Sequence, residues 1–163
     1  MEPTIQKINE VITPTELLKH WQSHRGLTRR VIESFPEKEF FEFSIGGMRP
    51  FAAMTMELIG IAAPSIREIA SGNTGELNEH FEHGNKKENI LKQWDKDTEE
   101  INRLFAKIPE ERFHETIKLF GKYEGTVWSS LFYAIDNEIH HRAQGYVYLR
   151  ALGIEPPPFW DRF

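Results

Sequence analysis

Four stretches of this chain carry apolar residues at helical spacing, and each is closed by its own proline or glycine stop. The first opens at Thr13-Pro14-Thr15-Glu16. Thr13 as N-cap, Pro14 at the first helical position and Glu16 two residues on form a capping box with a preferred proline. Leu17, Leu18, Trp21, Leu27, Val31 and Ile32 follow at helical spacing until Phe35-Pro36 ends the run. Glu39–Gly47 is aromatic and then glycine-rich, and reads as a loop or short extended piece. The second segment runs from Pro50 to Ser71-Gly72, with Pro64 inside it predicting a kink or a split. Asn73–Asn89 is a long polar connection. The third segment spans about Glu88 to Lys107, with Ile90, Leu91, Trp94, Ile101, Leu104 and Phe105 as its stripe, and Pro109 stops it. Phe113–Thr126 is a connection with a strand-like patch at Thr116–Phe120. The fourth runs from about Thr126 to Leu152, where Gly153 and then Pro156, Pro157 and Pro158 end it. Four such segments and two long connections predict an all-α chain, an antiparallel four-helix bundle, with residues 1–163 as one domain.

Composition removes several function classes. With 20 Lys+Arg against 25 Asp+Glu and a net charge of -5, the chain offers no basic footprint for nucleic acid. It has no cysteine, which excludes disulfides, thiolate metal sites and Cys nucleophiles. The most apolar stretch, Phe51 to Pro64, is too short for a bilayer and carries Glu57, so no membrane partner is expected. Met1–Ile5 lacks a basic and then apolar leader, and a cytoplasmic protein is expected.

Chemistry concentrates in the fourth segment. Six of the seven residues from Asp136 to Arg142 are polar or charged, inside an otherwise apolar helix. Trp128, Ile135, Ile139 and Tyr146 share one stripe. Asn137 and His141 are four apart and project together; Glu138 and His141 are three apart and also meet. An inward polar cluster of this kind is how helical bundles build sites. In the second segment Glu57 lies among Met54, Leu58 and Ile61. It sits either at the edge of the stripe, facing solvent, or buried, where a metal or His141 would compensate its charge. The remaining histidines read as ordinary. His20 and His24 share a face of the first segment without the carboxylate of a His-Glu-x-x-His element and are read as surface residues, and His80 and His83 lie in the polar loop. A di-iron centre needs two Glu-x-x-His elements on paired helices; Glu138–His141 is one, and Glu111–His114 falls beside Pro109.

The run Asp136-Asn137-Glu138-Ile139-His140-His141-Arg142-Ala143-Gln144-Gly145, continued by Tyr146-Val147-Tyr148-Leu149-Arg150-Ala151-Leu152-Gly153-Ile154, resembles the last helix of the DinB/YfiT-like family. Met48-Arg49-Pro50-Phe51-Ala52-Ala53-Met54-Thr55-Met56-Glu57-Leu58 resembles that family's second helix. The resemblance implies a four-helix bundle, a homodimer and a divalent metal, usually nickel or zinc, held by one His of the second helix and a His-x-x-x-His pair of the last. It also implies a small-molecule substrate and transfer or isomerisation with a low-molecular-weight thiol, the metal lowering the thiol pKa. In this chain the three ligand positions fall on Glu57, Asn137 and His141, so two of the three depart from histidine. Glu138 or His140 are alternatives to Asn137 as third ligand. Arg142 and Gln144 would orient ligands or substrate, and Trp128, Tyr133 and Tyr146 would line a pocket. The opposing expectation is a non-catalytic bundle whose polar cluster fixes helix register or forms a metal-free small-ligand pocket. The aromatic tail Phe159–Phe163 is expected to fold back or to cross to a second subunit.

Overall fold

The computed structural model describes residues 11–162. Met1–Ile5 and Phe163, on which two of the expectations above rest in part, lie outside the described residues. Among the described residues five α-helices follow in order: α1 (Pro14–Ser34), α2 (Glu37–Glu42), α3 (Phe51–Ser71), α4 (Lys87–Phe105) and α5 (Val127–Ala151). Between α4 and α5 come a 3-10 turn at Glu110–His114 and an antiparallel hairpin, β1 (Thr116–Leu119) and β2 (Tyr123–Thr126). The chain is mostly helical, as its punctuation predicts.

The stops act where the sequence puts them. The Thr13 hydroxyl accepts from the Glu16 amide while the Glu16 carboxylate accepts from Thr13, completing the capping box. Gly72 closes α3 with φ of 75°, the left-handed turn that favours glycine. The hydroxyl of Thr126 caps α5.

Three expectations need correction. Glu39–Gly47 is not all loop: α2 occupies its first part. Pro36 starts that helix, Glu37 and Glu39 sit in its first turn, and the Phe40 ring is buried against Phe35 and Phe51. Pro64 does not split α3, which runs unbroken through it. Ala62, Ala63, Ser65 and Ile66 beside it are buried, and that packing outweighs a loss of about 3 kcal/mol from one proline. The strand-like patch is a real strand, but its partner β2 was not expected.

α3 packs on α4 and α5, and α1 packs on the same two helices. The core has two regions. One gathers Trp21, Ile66, Ile101, Phe113 and Leu131; the other gathers Phe35, Phe51, Trp94 and Tyr148. Gly145 lets α5 approach α3, because a Cβ there would lie 2.6 Å from the Phe51 ring. Among the described residues no helix is long and apolar enough to cross a membrane. Phe159 and Trp160 of the tail are exposed and meet edge to face.

Candidate functional site

α3 and α5 carry Glu57, Asn137 and His141 to one point. Glu57 Oε1 accepts from Asn137 Nδ2 at 3.1 Å and lies 3.2 Å from His141 Nε2. The two α5 residues are one helical turn apart, so one carboxylate across the interface reaches both. The amide of Gln144, a further three residues on, sits 2.7 Å from His141 Nδ1 and fixes the ring. Gln144 in turn reaches the Met48 sulfur. The other carboxylate oxygen of Glu57 accepts from Arg49 Nη2 at 2.6 Å. Tyr148 donates to the Arg49 carbonyl at 2.8 Å and holds the segment that brings this arginine in. Burial pushes the Glu57 carboxyl up, but hydrogen bonds from Arg49, Asn137 and His141 outweigh it and hold the group below the usual carboxylate range. Glu57 is therefore ionised at neutral pH.

A second polar cluster lies on the neighbouring face of α5, turned toward α1. Glu138 is buried, and its carboxylate accepts from Thr28 at 2.6 Å and Trp21 at 3.4 Å. Arg25 and Arg142 stand 4.0 Å from it on either side. Arg25 lies over the Trp94 ring at 4.0 Å and donates to Thr98 and to the Trp94 carbonyl, which ties in α4. Arg142 donates to His24 Nδ1 at 2.9 Å and to Thr28. Burial pushes the Glu138 carboxyl up against the pull of Arg25 and Thr28. The His24 imidazole is pushed down to about 3 by burial and then by the Arg142 charge.

These two clusters sort the sequence expectations. Asn137 and His141 share a face, as their spacing requires. Glu138 does not meet His141; it points into the α1 interface and is no alternative donor. His140 is exposed, its ring 5.0 Å from that of His141, and among the described residues it completes no set of three His, Asp or Glu donors. Arg142 serves the α1 cluster, not Glu57. Gln144 does contact His141. His24 is buried, not a surface residue, and His20 Nε2 faces its Nε2 at 3.2 Å. Trp128 packs on Phe113 and Phe132, and Tyr146 donates to the Pro157 carbonyl; of the three aromatics named for a pocket, Tyr133 lines one beside Glu57. Sequence reasoning missed Arg49, whose loop position lies outside any helical period.

That pocket is a cavity of about 460 Å³, with Glu57 in its wall. Ile61 of α3 and Leu119 and Phe120 of the hairpin give it apolar surface, and Tyr123 and Tyr133 add phenol rings. Two devices hold its walls. Glu68, buried on α3, accepts from the Phe120 amide with both oxygens and from the Gly75 amide at 2.9 Å. Gly60 lets the 73–83 connection lie directly on α3: a Cβ there would stand 2.5 Å from the Asn78 carbonyl oxygen. Burial, with the charges of Glu57 and Glu79, pushes the Tyr133 phenol up, so it keeps its proton at neutral pH.

The sequence profile of the DinB family matches residues 6–162. The chain belongs to the DinB family. Two crystal structures are similar to it in fold. A DinB-like protein from Bacillus cereus ATCC 10987 is 16% identical, with a TM-score of 0.71, covering 88% of this chain and 95% of that one. A DinB-like protein from Bacillus subtilis, YjoA, is 20% identical, with a TM-score of 0.69, covering 88% and 96%. None of the curated proteins matches this chain. Among the described residues no three His, Cys, Asp or Glu side chains meet in a set able to hold a metal, so a third donor beside Glu57 and His141 would have to be the Asn137 amide. The set nevertheless fits a divalent ion. It combines an ionised carboxylate, an imidazole fixed from its far side and a carboxamide whose oxygen and nitrogen exchange by rotation. Two donors sharing one ion at bonds of about 2.1 Å sit about 3.0–3.4 Å apart. The Glu57 Oε1–His141 Nε2 separation of 3.2 Å falls in that range, and Asn137 would turn its amide to offer Oδ1 in place of the Nδ2 that donates to Glu57.

Proposed function

We propose that the four long helices make an antiparallel four-helix bundle, and that the chain is a divalent-metal-binding DinB protein with Glu57, Asn137 and His141 as its metal-holding residues. The convergence of Asn137 and His141 on one oxygen of Glu57 carries this reading. The alternating contacts of α1 and α3 with α4 and α5 support the bundle. A bound ion of the nickel or zinc kind would supply Lewis acidity, activating a thiol or a water for transfer or isomerisation. The chain's own residues would do the rest. Glu57 brings a negative charge already formed at neutral pH. Gln144 sets the ring of His141. The cavity beside Glu57 receives a substrate, with the protonated phenol of Tyr133 in its wall.

Elemental analysis of tag-free protein tests this. About one equivalent of metal per chain is expected in the wild type, and a loss of most of it in Glu57→Ala and in His141→Ala. Trace metal that is unchanged in both variants sinks the reading.

One observation favours a second reading. The Arg49 guanidinium already neutralises Glu57 at 2.6 Å. In that case the cluster is a metal-free hydrogen-bonded link between α3 and α5, and chelators leave the melting temperature unmoved.

A further inference from the structure

The cavity beside Glu57 has a pronounced charge character. Glu57, Glu79 and Glu124 line it, and among the described residues no Lys, Arg or His does. The Arg49 side chain that pairs with Glu57 lines a different groove, on the α2 side. The rest of the lining is apolar or phenolic: Ile61, Leu119 and Phe120 on one hand, Tyr123 and Tyr133 on the other. At about 460 Å³ the cavity lies within the range of small-molecule sites, about 300–1,000 Å³. Its acidic groups are held there by the fold. Gly60 admits the connection that carries Glu79 onto α3, and the double hydrogen bond from the Phe120 amide to Glu68 pins the hairpin next to Glu124.

We propose that this cavity takes a small molecule joining an aromatic or alkyl body to a protonated amine. The apolar wall takes the body. The ammonium group meets Glu79 and Glu124, with the faces of Tyr123 and Tyr133 within reach to stabilise a cation. An anionic ligand would meet three carboxylates, of which only Glu57 has a cationic partner, Arg49. The inference rests on the reading above for the ligand's place beside Glu57, and it names the substrate class of that site.

Four probes test it on full-length, EDTA-treated protein: the isosteric pair 2-phenylethylamine and 2-phenylethanol, and two anions, 3-phenylpropanoate and the thiol glutathione. Binding is followed by ligand-observed NMR and calorimetry. The amine is expected to bind about tenfold tighter than the alcohol, and the two anions more weakly still. The double variant Glu79→Gln/Glu124→Gln is expected to keep its melting temperature and its metal uptake while the amine preference falls to about threefold or less. Equal binding of alcohol and amine, preference for an anion, no amine binding at millimolar concentration, or a preference that survives in the double variant each overturns the inference. Failure here with stoichiometric metal at Glu57 leaves the metal reading intact. Amine selectivity without metal uptake overturns the metal reading and leaves the cavity assignment standing.

Discussion

Glu68 on α3 holds the backbone amide of Phe120 between its two carboxylate oxygens, at 3.1 and 3.0 Å. Phe120 sits at φ of 54°, a left-handed conformation that a bulky residue rarely adopts, so this grip offsets local backbone strain at the hairpin turn. The same carboxylate holds Gly75 in the connection after α3. Glu68→Ala should therefore loosen two cavity walls at once, at a cost of about 2–4 kcal/mol from lost charge-assisted hydrogen bonds. Hydrogen exchange should accelerate in residues 116–126 and 73–80 well before the rest of the chain. Unchanged protection of the hairpin would show that Glu68 is not its anchor.

Arg49 and a metal ion compete for one carboxylate. Arg49 is about half exposed, so its removal leaves the fold in place. Arg49→Ala is expected to tighten divalent-metal binding about tenfold, since one charge-assisted bond to Glu57 no longer has to be broken. Competition titration against a zinc indicator reads this directly. An affinity that falls or stays level removes Arg49 from the site's energetics.

His24 gives acid sensitivity with a definite sign. Its folded pKa of about 3 lies below the ordinary 6.5, so the unfolded chain binds the extra proton. The resulting stability is complete above about pH 6.5 and is lost as pH falls toward 3. The slope from this group approaches about 1.4 kcal/mol per pH unit within that window. Urea titrations of wild type and His24→Gln between pH 7 and 4 should converge as pH falls. Parallel curves would mean that His24 does not carry the acid transition.

Gly60 and Gly145 hold close approaches of different kinds. Gly60→Ala meets a backbone oxygen at 2.5 Å, and Gly145→Ala meets the edge of the Phe51 ring at 2.6 Å. Each should cost about 1–3 kcal/mol. Their local effects differ: Gly60→Ala displaces the 73–83 connection and should also weaken ligand binding in the cavity, whereas Gly145→Ala should act on α3–α5 packing alone. Melting temperatures together with amine titrations separate the two.

The helices were legible because their caps and stops are local. Thr13 with Glu16, Gly72 and Gly153 act within a few residues of themselves, and the sequence displays such signals openly. Glu57 drew notice as a charge in an apolar stripe, and Asn137 with His141 by their four-residue spacing. Glu138 was misplaced because three residues on a helix is a neighbouring position but turned to the side. Those few tens of degrees put it against α1, and only the position of α1 decides which side counts. His24 was misread for the same reason, since its partner Arg142 lies 118 residues along the chain. The second strand escaped notice because Tyr123–Thr126 is short and contains Gly125. Arg49 reaches Glu57 from a loop, where no period links the two.

Pro64 has no amide hydrogen to offer the carbonyl four residues back, which belongs to Gly60. α3 therefore lacks one rung of its ladder at the turn where the 73–83 connection rests on it. Glu57 lies on one side of that gap and Glu68 on the other. The helix bends most cheaply there, so any flexing of α3 would swing the carboxylate that meets His141 relative to the one that grips the hairpin. A bend of α3 at Pro64 would therefore change the polar cluster and the cavity wall together.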